Sequence, residues 1–349
     1  MRYKLFGRTG LRVSELALGT MTFGENWGIG ANRDESRRVF ERYVEEGGNF
    51  FDTANRYTDG TSERFLGEFI RGERERYVIA TKFTLSTRPG DPNACGNHRK
   101  NLVQSLERSL ERLGTDYVDL MWVHAWDETT PLDELMRALD DAVRAGKVLY
   151  VGISDAPAWV VARANTLAEL RGWTSFGGLQ IEYSLVQRTP ERELLPMAAA
   201  LDLAVTPWGP LGGGVLTGKY RDGRPQGTRL AGGPWGDAYV TPRNLAIAAA
   251  VSRVADRLER TPSQVALAWV RQQPANVMIP ILGARTLPQL EENLSCLAFT
   301  IPQEQLAELD AVSAVDKGFP GDFLAWETIR EMVHGDAPSR VDDHHRRAR

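Results

Sequence analysis

Residues 97–124 read NHRKNLVQSLERSLERLGTDYVDLMWVH. Leu102, Leu106, Leu110 and Leu113 recur at the three- and four-residue spacing that lines one face of a helix, while Lys, Arg and Glu fill the other face. Gly114 stands where a helix-closing glycine belongs. A strongly apolar run, Val118 to His124, follows at once and has the length of a strand. A helix delivered by a short turn into an apolar strand is half of a β-α repeat.

The same alternation recurs about eight times from Leu16 onward. The remaining strand candidates are Leu16 to Thr20, Phe50 to Ala54, Tyr77 to Phe83, Val148 to Ser154, Gly178 to Tyr183, Leu203 to Gly209 and Val277 to Leu282. Between them, Asp34 opens a helical run to Glu46 that Gly47-Gly48 closes, and Gly146 closes a helix beginning near Pro131. Strands separated by helices are parallel, because only a crossover returns the chain to the same edge. Eight such units with no linker or composition shift favour a closed (β/α)8 barrel, the TIM barrel of the α/β class, over an open doubly wound sheet. Ahead of it, Arg8-Thr9-Gly10 sits between two short extended runs and predicts a β-hairpin covering the N-terminal end of the barrel. After the seventh strand, Gly209 to Pro242 is long and rich in Gly and Pro, which reads as a lid or clasp. Residues 1–333 are read as one barrel domain. From His334 the polar stretch HGDAPSRVDDHHRRAR reads as a flexible tail rather than a metal or anion site.

Composition narrows the partners. A formal net charge of −4 shows no basic excess of the kind that nucleic acid or an anionic membrane attracts. The N-terminus lacks an apolar leader core and no apolar run reaches a membrane span, so a cytoplasmic protein is expected. Cys95 and Cys296, in unrelated contexts, form neither a disulfide framework nor a CxxC motif. Arg74, Arg76 and similar charges are read as solvated faces.

In a parallel barrel the reactive face lies at the C-terminal ends of the strands. There the second strand ends on Asp52, the third on Lys82 and the fourth on His124, with Tyr57 in the loop after the second. Neighbouring strands run roughly 5 Å apart, so the four side chains can meet. Each has an ordinary structural reading by itself: a helix cap, a solvated strand end, a rim aromatic, a satisfied core histidine. Together they suit proton delivery to a carbonyl oxygen. A phenol with a pKa of about 10 is a weak acid at neutral pH, and an adjacent ammonium such as Lys82 favours its anion. Asp52 would hold Lys82 charged and aimed, and His124 would orient the carbonyl. There is no HExxH, no clustered carboxylates at neighbouring strand ends and no GxSxG elbow, so no metal is expected.

Residues 213–220, GGVLTGKY, match GxxxxGK but place Tyr220 where a nucleotide triphosphatase needs Ser or Thr. The glycines still permit close backbone approach to a pyrophosphate, with Lys219 as a point charge. No GxGxxG occurs.

The set LGTMTFG, DTANRY, ATKF, VDLMWVH, GKVLYVGIS, LQIEYS, TPWGPLGGGVLTGKY and PILGARTLPQLEENL resembles the aldo-keto reductase superfamily, in family order and over nearly the whole chain to about residue 312. GNHRKNLVQSLERSL and GISDAPAWVVARAN are further similar to its aryl-alcohol dehydrogenase-like branch, related also to the potassium-channel β-subunits. The resemblance implies a TIM barrel with NADP(H) lying across its mouth, a small carbonyl substrate, and a tetrad of Asp52, Tyr57, Lys82 and His124 with Tyr57 as proton donor. It implies nicotinamide stacking on Trp208 and carboxamide contacts from Ser154, Asp155 and Gln180, with Gly19, Thr20, Met21 and Asp52 also against the cofactor. Gly209, Pro210, Leu211, Gly213, Lys219 and Arg229 would clasp the pyrophosphate. Gly283, Arg285, Gln289, Glu292 and Asn293 would hold the adenosine end, with Arg285 on the 2′-phosphate and a helix starting near Leu287 aimed at it. NADPH is then expected to beat NADH. Two positions depart from the pattern: many relatives carry Asn at Asp155, and Gln289 replaces a second basic residue.

Two functions fit this reading. One is reduction of aldehydes or ketones, aromatic ones suggested by Trp27, Trp126, Phe319, Phe323 and Trp326. The other is an NADP(H)-loaded regulatory subunit with slow, incidental turnover. The oligomeric state stays open.

Overall fold

The computed structural model describes residues 1–226, 228, 230–274 and 276–335. The first two strands, β1 (Tyr3–Leu5) and β2 (Arg12–Ser14), pair antiparallel as the expected hairpin, with Tyr3 opposite Ser14. The hairpin plugs the N-terminal end of a parallel sheet. Its Phe6 is fully buried edge-on against Phe50 and Trp122, and Arg8 donates its backbone N–H to the Asp202 carbonyl at 2.9 Å. Gly7 is required there: with φ at +56°, a side chain would lie 2.5 Å from the Asp202 carbonyl oxygen.

The parallel strands are β3 (Ala17–Gly19), β4 (Phe50–Asp52), β5 (Val78–Phe83), β6 (Val118–Val123), β7 (Val148–Ser154), β8 (Gly178–Glu182) and β9 (Ala204–Trp208), each pairing with the next in chain order. The eighth strand differs from its sequence reading. It is split into β10 (Val277–Met278) and β11 (Ile281–Gly283), because Pro280 has no N–H to give a ladder. The split lets the chain change neighbours. Ile279 donates back to Val205 at 2.9 Å while the Pro280 carbonyl accepts Ala17 N–H at 2.9 Å, so β10 lies on β9 and β11 on β3. The last strand thus joins both edges and closes the (β/α)8 barrel.

Helices cover the outside. α1 (Arg33–Glu45), α2 (Thr61–Phe69), α3 (Arg99–Leu113), α4 (Leu132–Arg144) and α5 (Ala158–Arg171) follow the first strands; α6 (Leu194–Ala200), α7 (Gly233–Tyr239), α8 (Pro242–Leu258), α9 (Pro262–Arg271), α10 (Leu287–Leu294) and α11 (Gln303–Ser313) complete the ring. α12 (Gly321–Ala325) and α13 (Glu327–His334) end the described chain. The leucine stripe of α3 is buried as expected and Gly114 closes the helix with φ at +64°. α1 begins one residue before Asp34 and is capped by Asn32, whose side chain accepts the Glu35 N–H at 2.9 Å. His334 belongs to α13, so the expected tail begins one helical residue late; from residue 336 it lies outside the described residues.

The core has two layers, set by the two-residue period of the strands. Phe50, Val78, Ala80, Leu120, Trp122 and Ala204 point into the lumen. Phe51, Ile79, Phe83, Met121, Val123 and Val205 point out, under the helices. Continuing that alternation one step places Asp52, Lys82 and His124 on the lumen side at the upper rim.

Arg74 overturns its reading as a solvated charge. It pairs with the buried carboxylate of Asp119 at 2.7 Å, donates to the Tyr77 and Tyr117 carbonyls, and lies over the Tyr117 ring. Folding of a short turn back over strand ends buries it, which no local pattern records. Arg76 stays exposed beside Glu73.

The segment 209–242 is less irregular than its composition suggests. A 3₁₀ turn at Gly212–Thr217 and α7 occupy it, around a small apolar cluster of Val215, Tyr220, Leu230 and Ala248. Tyr239, at the end of α7, donates its hydroxyl to Glu182 on the barrel. Among the described residues no helix is long and apolar enough to cross a membrane.

Candidate active site

Lys82 is fully buried at the end of β5 and organises the upper lumen. Its ammonium makes a hydrogen-bonded ion pair with Asp52 Oδ1, donates to the Thr53 carbonyl at 2.9 Å and to the Tyr57 hydroxyl at 3.2 Å. Asp52 is held from its other oxygen by Gln180, whose side-chain N–H reaches Oδ2 at 2.9 Å. The ion pair is therefore saturated on both sides, which is what makes a buried charge tolerable. Burial pulls the Lys82 pKa down, but the charges of Asp52 and Tyr57 outweigh it, and the net direction is up.

Tyr57 comes from the turn after β4, where Thr58 and Asp59 take the left-handed conformation with φ of 45° and 54°. The turn is pinned by the Thr58 hydroxyl, which donates to the Phe23 carbonyl at 2.7 Å. Tyr57 meets His124 edge-on at 5.8 Å between ring centres and Trp27 edge-on at 6.4 Å. Desolvation raises its pKa, and the lowering pull of Lys82 is the smaller effect. The phenol thus keeps its proton more firmly than the sequence argument assumed. The His124 imidazole is pushed well below the usual range, first by burial and then by the Lys82 charge, so it is neutral at pH 7. Its Nδ1 is buried with no hydrogen-bond partner among the described residues.

The other strand ends complete the rim. Gly19, Thr20 and Met21 close β3; the Thr20 N–H donates to the Asp52 carbonyl at 2.9 Å. Gly19 is needed for packing, since a Cβ there would lie 2.7 Å from Ile281. Ser154 ends β7 with its Oγ buried beside the Asp155 carboxylate. Asp155 follows with φ at +46°, and its carboxylate accepts the Trp208 indole N–H at 3.1 Å. Trp208 is half-buried, facing the mouth at the end of β9. Gly209, Gly213 and Gly214 all take positive φ, with Pro210 and Leu211 between them, and the Lys219 side chain reaches to within 2.9 Å of where a Gly214 Cβ would sit. Arg229 lies outside the described residues.

At the last strand Gly283 is exposed and its carbonyl accepts from Asn293 at 3.3 Å. Arg285 precedes α10 and Glu292 lies in its second turn, and the Arg285 backbone N–H is taken by Gln289 Oε1 at 2.9 Å. The N-terminus of α10 is already partly committed: Leu287 N–H donates to the Glu35 carboxylate of α1 at 2.6 Å. Nothing in the sequence around Glu35 signals that contact, which forms only because α1 and α10 are neighbours on the closed barrel. Of the aromatics, Trp27 joins Tyr57, whereas Phe319, Phe323 and Trp326 stack on one another on the exposed C-terminal segment, Phe319 at 85% exposure. Among the described residues no group of His, Cys, Asp or Glu is arranged to hold a metal ion.

Residues 15–314 match the aldo/keto reductase family. The chain belongs to that family. Similar proteins include the norsolorinic acid reductase stcV of Emericella nidulans, 39% identical over 344 residues, covering 95% of this chain and 86% of that protein. The aryl-alcohol dehydrogenase (NADP(+)) of Phanerodontia chrysosporium is 35% identical over 333 residues, covering 89% and 85%. A putative aryl-alcohol dehydrogenase of Saccharomyces cerevisiae, AAD14, is 35% identical over 341 residues, covering 93% and 89%. As an aldo/keto reductase, the protein is an oxidoreductase acting on small carbonyl compounds. In this aldo/keto reductase the strand-end acid, amine, phenol and imidazole meet above the apolar layer of Phe50, Val78, Ala80, Leu120 and Trp122.

Proposed function

We propose that the protein is an NADP(H)-dependent reductase that converts an aldehyde or ketone, including aromatic ones, to the alcohol, with Tyr57 as proton donor. The observation that carries this reading is the Lys82 ammonium, bound at once to Asp52, the Thr53 carbonyl and the Tyr57 hydroxyl. When bound, the nicotinamide would supply the hydride. The phenol holds its proton until negative charge develops on the carbonyl oxygen, an alkoxide being a far stronger base than a phenolate. Lys82 then stabilises the phenolate left behind, and Asp52 with Gln180 keeps the ammonium from following the proton out. Neutral His124 hydrogen-bonds the carbonyl and orients it toward Tyr57.

Residues at the mouth fit such a cofactor. The buried Ser154 hydroxyl and the Asp155 carboxylate suit a carboxamide, and the half-buried Trp208, fixed by its indole N–H, offers a flat face. The positive-φ glycines from Gly209, with Leu211 and Lys219, suit a pyrophosphate. Arg285, near Gln289, Glu292 and Asn293, suits a 2′-phosphate by its forked donors. The NADP(+) in the name of the Phanerodontia chrysosporium relative supports the same preference. Residues 1–333 act as one catalytic unit in this reading, in the cytoplasm, where two unpaired cysteines are at home.

The test is a single turnover. The protein is saturated with NADPH, an activated aromatic aldehyde is added, and the reduced-nicotinamide absorbance is followed. Rapid loss of absorbance is the expected result. Tight NADPH binding with no oxidation of any aldehyde or ketone would leave a cofactor-binding regulatory subunit instead, and no binding would end both readings.

A further inference from the structure

Behind the tyrosine turn, a cavity of about 170 Å³ opens between that turn, the loop after β5 and one face of α3. A void needs only roughly 10–15 Å³ to admit a water molecule, so this one has room for a small solute. Four guanidinium groups line it: Arg56 from the turn, Arg88 from the loop, and Arg108 with Arg112 one helical turn apart on α3. Like charges so placed repel unless something negative lies between them.

Three of the four are paired. Arg56 holds Asp59 at 2.5 Å, Arg88 holds Asp91 at 3.0 Å and Arg112 holds the buried Glu63 at 2.6 Å. Each pair uses only part of the five donors a guanidinium carries. Arg108 has no hydrogen bond or ion pair to any described residue, so the wall carries one uncompensated cation with spare donors around it.

A second observation comes from Asn55. It lines the same cavity at 4% exposure, and its Oδ1 is buried without a partner among the described residues. Its orientation is set by its neighbours: the Ser105 hydroxyl donates to Asn101 at 3.2 Å, leaving a Ser105 lone pair for the Asn55 amide N–H at 3.2 Å. The carbonyl oxygen is then the end left over, and a buried acceptor left unpaired is unfavourable. An occupant that satisfies the cavity must bring negative oxygens for the arginines and an O–H for Asn55.

We propose that this cavity is a binding site for a phosphate group that retains a hydroxyl donor. Inorganic hydrogen phosphate has both, its P–O–H facing Asn55 and its charged oxygens facing Arg108 and the free donors of Arg56 and Arg112. A small phosphate monoester with a hydroxyl on its organic part has both as well. Sulfate has the charge and shape but no O–H, so Asn55 makes the site selective. None of the lining residues is among those assigned above to NADP(H), and the site stands or falls independently of the reductase reading.

The experiment is calorimetric titration of the full chain, without nicotinamide, with phosphate, sulfate and glycerol 3-phosphate at matched ionic strength, because screening weakens exposed charges. Phosphate is expected to bind saturably and several-fold more tightly than sulfate. Arg108→Ala, at a half-exposed helix position that folding tolerates, is expected to weaken phosphate about tenfold, the loss of one charge-assisted contact. Arg285→Ala is expected to leave it unchanged, and Asn55→Ala to abolish the preference over sulfate. Whichever of inorganic phosphate and glycerol 3-phosphate binds more tightly identifies the source while upholding the shared chemistry. Absence of saturable phosphate binding, equal affinity in wild type and Arg108→Ala, or loss of binding in Arg285→Ala alone would each overturn the proposal.

Discussion

Gln180 on β8 donates its side-chain N–H to Asp52 on β4 at 2.9 Å, across the lumen between strands four places apart in the closed barrel. Asp52 therefore has both oxygens engaged, one by Lys82 and one by Gln180. Replacing Gln180 by Leu leaves a buried carboxylate oxygen without its donor. That variant is expected to lose about 1–3 kcal/mol of stability, read as a lower urea midpoint at unchanged slope. An unshifted midpoint would mean that the bond contributes nothing to the folded state.

Tyr57→Phe removes only the hydroxyl that Lys82 reaches at 3.2 Å, leaving the ammonium its bonds to Asp52 and Thr53. NADPH binding, followed by quenching of tryptophan fluorescence, is expected to persist. Aldehyde reduction in a single turnover is expected to slow by about 10²- to 10⁴-fold, the usual worth of a positioned acid. Wild-type rates in the variant would remove Tyr57 from proton transfer.

His124 links stability to pH. Its folded-state pKa lies well below 6.5, so the unfolded chain takes up a proton near that pH that the folded protein refuses. Stability is thus expected to fall as pH drops below about 6.5, by about 1.4 kcal/mol for each unit until the folded-state pKa is reached. His124→Asn should flatten this part of the profile. Urea unfolding of both proteins at several pH values between neutrality and mild acid is the check, and parallel profiles would assign the slope elsewhere.

The lower lumen tolerates no added volume at Gly178. A methyl group there would sit 2.3 Å from the Phe6 ring and 3.0 Å from the Trp122 ring, both fully buried. Gly178→Ala is expected to cost about 1–3 kcal/mol through overpacking. Thermal unfolding measures it, while the rate of hydride transfer stays as in wild type because the strain lies beneath the polar layer. A variant as stable as wild type would show that the hairpin can shift to make room.

Sequence alone determined the repeat, the strand direction and which polar groups meet at the strand ends. Periods of two and three to four residues, closed by glycines such as Gly114 and Gly146, are local properties of the chain. Once the strands are parallel, their C-terminal residues must share one rim, which brings Asp52, Lys82 and His124 together without knowledge of any distance. Tertiary structure alone decided who holds whom. The bond from Gln180 to Asp52 joins residues 128 apart, Arg74 finds Asp119 over 45, and Glu35 reaches the start of α10 over 252. The split of the last strand at Pro280 and the arginine-lined cavity beside Asn55 belong with them. Such contacts depend on the stagger at which the barrel closes and on which helices become neighbours, and no pattern confined to a few adjacent residues carries that information.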